Sequence, residues 1–298
     1  MTARILALGG AHLDRIGRIA GDTAPGASNP GSWTEDIGGG SFNVARNLAI
    51  LGHRVTMVSP RGGDAIGDRV AAAALAAGID DRPVVFLDRT TPSYSAILEA
   101  DGNLVIALAD MDLYRLFTPR RLRVRALREA FTKADLVVCD ANLPAETLLA
   151  IARMAEDLAI PVAGIAISPA KVMRFRDCLP HLTYLFMNAA EAAALVGRNV
   201  SRVDEWPALL KGLGLSGAVV TKGGEALAAF SPEAILTITP PAMTGIVNVT
   251  GAGDSLAAGT LEQLLAGAPF ADALRFGIAT SRITLRSPLA VAADLTPQ

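Results

Sequence analysis

Long apolar stretches are missing from this chain. The longest candidate, Leu158 to Ile167, is well short of the ~20 residues needed to cross a bilayer and contains Pro161 and Gly164. The opening MTARILALGG has no basic stretch followed by a long apolar run, so no signal peptide and no membrane partner are expected, and a cytoplasmic location is. Cysteine is nearly absent. Cys139 and Cys178 are too few for a disulfide framework, and Cys139, inside the run LVVC, reads as a small core residue. Charge is scarce as well, at 19% of residues with a net of -2 and no long run of one sign, which argues against a nucleic-acid partner. The five arginines between Arg120 and Arg128 are interrupted by Leu122, Val124, Ala126 and Leu127 and read as a solvated helix face. There is no internal repeat, no low-complexity tract and no G-x-x-x-x-G-K-[ST] phosphate loop. What is present is apolar bulk: 51% of 298 residues are hydrophobic, which rules against disorder and suffices for a large buried core.

Short β-branched runs alternate with Ala/Leu-rich stretches. Arg4 to Leu8, Val55 to Ser59, Leu136 to Cys139, Val162 to Ile167, Tyr184 to Met187 and Ala218 to Thr221 read as buried strands. Phe42 to Leu51, Ile66 to Ala77, Arg120 to Thr132, Ala145 to Leu158 and Ala189 to Val196 read as helices. This alternation predicts an α/β fold with a mostly parallel sheet flanked by helices, whose ligands collect beyond the carboxyl ends of the strands. Val84 to Leu108 breaks the pattern with three strand-like runs, VVFL, YSAIL and LVIAL, and Asp101-Gly102 signals a two-residue hairpin between the last two. With the Gly- and Pro-rich segment Ile16 to Ile37, these runs are expected to form a small β-rich lid. The expected division is residues 16–37 and 84–112 for the lid, and 1–15, 38–83 and 113–298 for the core.

Near the C-terminus stands NVTGAGDSLAAG. Gly251, Ala252 and Gly253 have little side-chain bulk and precede an apolar helical pattern, so unpaired N–H groups at a helix start can approach an anion there. Asp254, one residue further, is either the base that accepts a hydroxyl proton beside that anion or a plain helix cap. Gly38-Gly39-Gly40-Ser41-Phe42-Asn43 is a second Gly-rich turn before a helix. It is not the dinucleotide fingerprint, because Asn43 stands where the third glycine would be. It is either a capped helix start or a surface on which a polyol lies against backbone, with Asn43 bonding its hydroxyls. Asp14, after the first strand, is either a turn residue or an acceptor for two neighbouring hydroxyls.

Together, GGGSFNVARNLAILG and NVTGAGDSLAAG resemble the two signatures of the ribokinase-like (PfkB) carbohydrate kinases. Gly63-Asp64-Ala65-Ile66-Gly67, Asn188-Ala189-Ala190-Glu191 and, in part, Thr221-Lys222-Gly223-Gly224 resemble further motifs of that family, in the same order along essentially the whole chain. The resemblance implies ATP as phosphoryl donor and Mg2+ as helper. It makes Asp254 the catalytic base, with Gly251, Ala252 and Gly253 as the anion hole, and Asp14, Gly39, Gly40 and Asn43 as contacts of substrate hydroxyls. It puts Asn188 and Glu191 around Mg2+, largely through water, and Thr221, Gly223, Gly224, Gly251 and Gly253 by the nucleotide, with adenine near Ala279 to Thr284. Many members have Asp where this chain has Asn248, a weaker cation ligand, which puts activation by K+ in doubt. Family lids often pair between subunits, which implies a homodimer. Within the family, Ser28-Asn29-Pro30, Asp14-Arg15 and the segment Ala107 to Asp112 are most similar to pseudouridine kinases, with Ser28, Asn29, Thr91 and Ser93 as candidate partners for a uracil-like base. The implied acceptor is the 5′-hydroxyl of pseudouridine. Another nucleoside, or a free sugar such as ribose or fructose, is the alternative, and a non-catalytic sensor on the same fold is a third.

Overall fold

The computed structural model describes residues 2–293 and 295. The apolar runs assemble into a nine-stranded sheet. Its order is Ile235–Ile238 (β15), Leu227–Phe230 (β14), Ala218–Thr221 (β13), Tyr184–Asn188 (β12), Val162–Ile165 (β11), Leu136–Asp140 (β10), Arg4–Leu8 (β1), Arg54–Val58 (β4) and Asp80–Asp81 (β6). All pairings from β13 through β6 are parallel; β14 and β15 are antiparallel additions at one edge. Among the described residues ten α-helices flank the sheets: Gly40–Ile50 (α1), Ala65–Ala76 (α2), Pro119–Leu122 (α3), Arg125–Phe131 (α4), Ala145–Asp157 (α5), Pro169–Val172 (α6), Ala189–Val196 (α7), Trp206–Gly212 (α8), Ala252–Leu265 (α9) and Phe270–Leu285 (α10).

Successive strand side chains face opposite ways. Leu6, Leu8, Val137 and Cys139 pack into one core layer with Leu148, Ile151 and Leu195. Ile5, Ala7, Leu136 and Val138 pack into the other with Phe42, Leu48, Leu256 and Leu261. Burial on both faces is why these strands read as continuous apolar runs. Among the described residues, no helix is long and apolar enough to cross a membrane.

The lid is a four-stranded sheet in the order Gly31–Gly38 (β3), His12–Ile19 (β2), Ser93–Leu98 (β8) and Leu104–Asp110 (β9). It begins at His12, so Asp14 lies within its second strand. Val84–Phe86 (β7) does not join it. That run pairs in parallel with Pro60–Gly62 (β5), and Val84 packs against the core. The turn between β8 and β9 is wider than two residues: Glu99 N–H donates to Asn103 O at 2.8 Å, and the Asp101 carboxylate accepts from the Asn103 N–H and side-chain amide. Asp101 serves as a local hydrogen-bond acceptor, and only Gly102 takes a positive φ, 95°. The expected helix Arg120 to Thr132 is likewise two pieces, α3 and α4. Leu122 and Leu127 both point inward but are five residues apart, off the helical repeat, and the extended Val124 between them restores the phase.

Lid and core are tied at the G-D-x-x-G turn. Asp64 caps α2 by accepting from Gly67 N–H at 2.9 Å, and it also accepts from Thr91 N–H and Thr91 Oγ1 at 2.8 and 2.5 Å, just before β8. Gly62 N–H donates to the same hydroxyl at 3.0 Å.

Candidate active site

The carboxyl ends of β1 and β10 to β13, the start of α9 and the inner face of the lid enclose a cleft of about 840 Å³. It runs from Ile16, Tyr94 and Met111 at the lid to Val249 and Pro288–Ala290 at the far end. Asp14, Gly39, Gly40, Asn188, Glu191, Thr221, Gly251, Gly253 and Asp254 all line it.

At the middle lies the first turn of α9. Gly251 is its cap, with φ 79°, and a Cβ there would collide with the Ala290 carbonyl. Ala252 N–H turns to Val249 O at 3.4 Å. The other first-turn N–H groups have no partner within the helix, and Gly253 is open to the cleft, since a Cβ there would meet no atom within 4 Å. The result is a concentration of amide hydrogens at the positive end of a fourteen-residue helix, suited to a phosphoryl group gathering negative charge.

Asp254 is the third residue of α9, inside the helix and not at its cap, and is partly open to the cleft. Its Oδ2 accepts from Asn43 Nδ2 at 2.8 Å, which joins the two Gly-rich turns in space. Burial pushes its carboxyl up to about 7; Asp140 and Glu191 reinforce the rise, while Asn43 and Arg46 oppose it. A carboxylate poised near neutrality suits general-base work.

The turn at Gly38 to Gly40 is held from below by Asp140. Its Oδ2 accepts from Gly10 N–H at 2.9 Å and Ser41 N–H at 2.8 Å, and its Oδ1 from Asn142 N–H at 2.9 Å. Asp14 lies opposite Asp36 across β2 and β3, and His12 joins Asp14, at 3.4 Å, to the buried Tyr114 hydroxyl, at 2.9 Å. Lys171 donates to Asn142 Oδ1 at 2.7 Å; burial lowers its pKa while Asp140 and Asp14 favour its charge. Sequence reasoning missed His12, Arg46, Asp140 and Lys171. Asp140 carried a usable signal as a strand-end carboxylate, and Arg46 as the residue three positions after Asn43 on a helix. Lys171, on a four-residue helix, carried none.

Asn188 and Glu191 form a reciprocal cap: Asn188 Oδ1 accepts from Glu191 N–H at 2.9 Å, and Glu191 Oε2 from Asn188 N–H at 2.7 Å. Burial raises the Glu191 carboxyl. Among the described residues no group of three or more His, Cys, Asp or Glu could hold a metal by itself. The donors present fit Mg2+ carried on nucleotide phosphates and reached through water.

Five expected contacts are placed differently from the rest. Ser28 and Asn29 lie in the exposed turn between β2 and β3, outside the cleft, and the Asn29 amide is taken up by Ala24 and Ala27. Thr91 is buried, with its hydroxyl committed to Asp64 and Gly62. Gly223 and Gly224 lie just beyond Thr221, in the loop after β13. The hydroxyls of Thr280, Ser281 and Thr284 bond to backbone carbonyls, so the far end of the cleft is formed by the loops around Val249 and Leu289. Asn248 braces those loops: Nδ2 donates to Pro288 O at 3.1 Å, and Oδ1 accepts from Thr250 N–H at 2.9 Å.

The profile of the pfkB family carbohydrate kinases matches residues 2–296. A carbohydrate kinase from Agrobacterium tumefaciens has a similar structure, with a TM-score of 0.89 and 53% identity over 99% of this chain and 94% of that one. The pseudouridine kinase of Escherichia coli K12 is 28% identical over 288 residues, 94% of this chain and 90% of its own length. The guanosine-inosine kinase of Exiguobacterium acetylicum is 24% identical over 280 residues, 92% of each.

Proposed function

The chain belongs to the pfkB family of carbohydrate kinases, as an ATP-dependent phosphotransferase acting on a small nucleoside or sugar, and we propose that its acceptor is a nucleoside, pseudouridine first among the candidates. The observation that carries the reading is the juxtaposition at α9: a poised carboxylate, Asp254, beside open amide hydrogens and bonded to Asn43 of the other Gly-rich turn. The lid end of the cleft supports a nucleoside. Ile16, Tyr94 and Met111 give it an apolar wall, with Asn142 and Lys171 as polar groups, more than a five-carbon sugar needs. The similarity to a pseudouridine kinase favours that nucleoside, and the similarity to a guanosine-inosine kinase keeps other nucleosides open.

In this reading Asp14, Gly39, Gly40 and Asn43 hold the sugar hydroxyls. Asp254 takes the proton of the acceptor hydroxyl as the hydroxyl oxygen attacks the γ-phosphorus and the bond to the bridging oxygen breaks to release ADP, and the amides from Gly251 to Gly253 hold the growing negative charge. Glu191 and Asn188 organise the waters of Mg2+, which screens the phosphates when bound, and Thr221, Gly223 and Gly224 flank the nucleotide. The lid excludes water. Its outer strand β9 exposes Ile106 (62%) and Leu108 (72%), and a homodimer through the lids would cover them. Leu108→Asp is then expected to give a monomer by light scattering, and a wild-type monomer ends the dimer reading. The deciding experiment for the acceptor is a panel of pseudouridine, uridine, guanosine, adenosine, ribose and fructose with ATP and Mg2+. The highest kcat/KM is expected for pseudouridine; fast turnover of a free sugar with none of pseudouridine overturns it.

A further inference from the structure

One partly buried cation beside the site, Arg46, has no part in the scheme above. Arg46 follows Asn43 by three residues on α1, so the two side chains share a face. Its Nη2 donates to Asn43 Oδ1 at 2.8 Å, and Asn43 Nδ2 donates onward to Asp254 Oδ2 at 2.8 Å. The direction of this relay is fixed by chemistry. A guanidinium has five donors and no acceptor, so only the carbonyl end of an amide can face it. The amide's donor end must then point at Asp254.

The charges around Arg46 have the same logic. Its Nη1 is 4.0 Å from Asp36 Oδ1, and Asp36, Asp254 and Asp14 all act on it electrostatically. Asp14 and Asp36 are directly opposite each other in the lid sheet, an unfavourable pairing without a cation between them. The guanidinium also lies 5.1 Å from the Phe42 ring centroid, which fixes its plane. Its Nε has no hydrogen-bond partner among the described residues. A donor nitrogen buried without a partner is costly for stability alone, and the three carboxylates that act on Arg46 are residues around the acceptor.

We propose that Arg46 is a positioning residue for phosphoryl transfer: it locks the Asn43 amide so that Asp254 Oδ2 is held and Oδ1 is left to take the acceptor's proton. This rests on Asp254 being the base. The groups that set the ionisation of Asp254 are Asn43 and Arg46 from α1, Asp140 from the end of β10 and Glu191 from α7; Asp14 and Asp36 act on Arg46 from the lid. Removing the cation raises the affinity of Asp254 for its proton, so the acid limb of the rate profile moves to higher pH.

The test compares Arg46→Met, Arg46→Gln and Arg46→Lys with wild type, using ATP and Mg2+ with pseudouridine, guanosine and ribose as separate acceptors, and thermal melting to establish folding. Arg46→Met is expected to lower kcat by about 10- to 100-fold with acceptor KM changed less than about threefold, and to move the acid limb up by about one pH unit. Arg46→Lys keeps the charge and should return the limb to its wild-type position; it and Arg46→Gln carry the test if the Met variant does not fold. Folded variants with a wild-type kcat and limb, or with a loss confined to KM, overturn the proposal. Asp254→Asn is measured alongside. An inactive Asp254→Asn with an unmoved limb in the Arg46 variants defeats the Arg46 role alone, whereas a fully active Asp254→Asn defeats the base reading and this proposal together.

Discussion

At Gly39 the backbone has φ 119° and a Cβ would strike the Gly10 carbonyl; at Gly253 a Cβ would meet no atom within 4 Å. The two Gly-rich turns are similar in sequence, and both precede a helix that lines the cleft. In space they differ in what their glycines are for. The first turn is packed: Gly40 faces Ile167, Gly38 faces Asp14, and Ser41 N–H is spent on Asp140. The second is anchored at Gly251, against Ala290, and open from there on. One turn uses its glycines to bring chain segments together around Asp140. The other uses one glycine for packing and keeps the rest clear for a ligand.

Substitutions can break this contrast. Gly251→Ala should have the largest effect, because it strains a left-handed cap and moves the amide hydrogens aimed at the phosphoryl group; a fall in kcat of about 10²–10³-fold is expected from steady-state assays. The pH dependence of the rate gives the next. As the proposed base, Asp254 would act only when ionised, and its carboxyl is raised to about 7, so kcat/KM should fall about tenfold for each unit of pH below that point and level off above it. Gly39→Ala should lower stability by about 1–3 kcal/mol in denaturant unfolding, as its backbone is left-handed and its space is filled. A smaller change of opposite sign is expected for Asp254→Asn. Burial makes the folded carboxyl a weaker acid than the unfolded one, so the stability tied to protonation is present at low pH and lost as pH rises through about 7. Above that point the Asn variant should be more stable, by about 1 kcal/mol after allowing for the opening of the carboxylate to the cleft. Gly253→Ala should do least to the fold, with a gain of up to about 1 kcal/mol from helix propensity and a loss of turnover. A Gly253→Ala that melts early would erase the distinction between the turns.

The sheet was legible because its strands are buried on both faces and so leave unbroken apolar runs. The parts that read poorly depend on partners distant in sequence. Val84–Phe86 has the same β propensity as the lid strands, and only its pairing with Pro60–Gly62 assigns it to the core. Asp101 looked like a hairpin residue by identity, yet its carboxylate sets the turn through Asn103. Asn29 and Thr91 looked like free hydrogen-bonding groups, and a one-dimensional reading could not see Ala24 or Asp64 using them. Asp254 was ambiguous between cap and base. Its place inside the helix, with Gly251 as the cap, and its link to Asn43, 211 positions away, are facts of tertiary structure that favour the base.

That link makes Asp254 the residue to challenge. The most direct measurement is single-turnover phosphoryl transfer by Asp254→Asn, with acceptor binding followed by calorimetry. The account predicts a rate about 10²–10⁴-fold below wild type with acceptor Kd within about a factor of three. Phosphoryl transfer at the wild-type rate would contradict it.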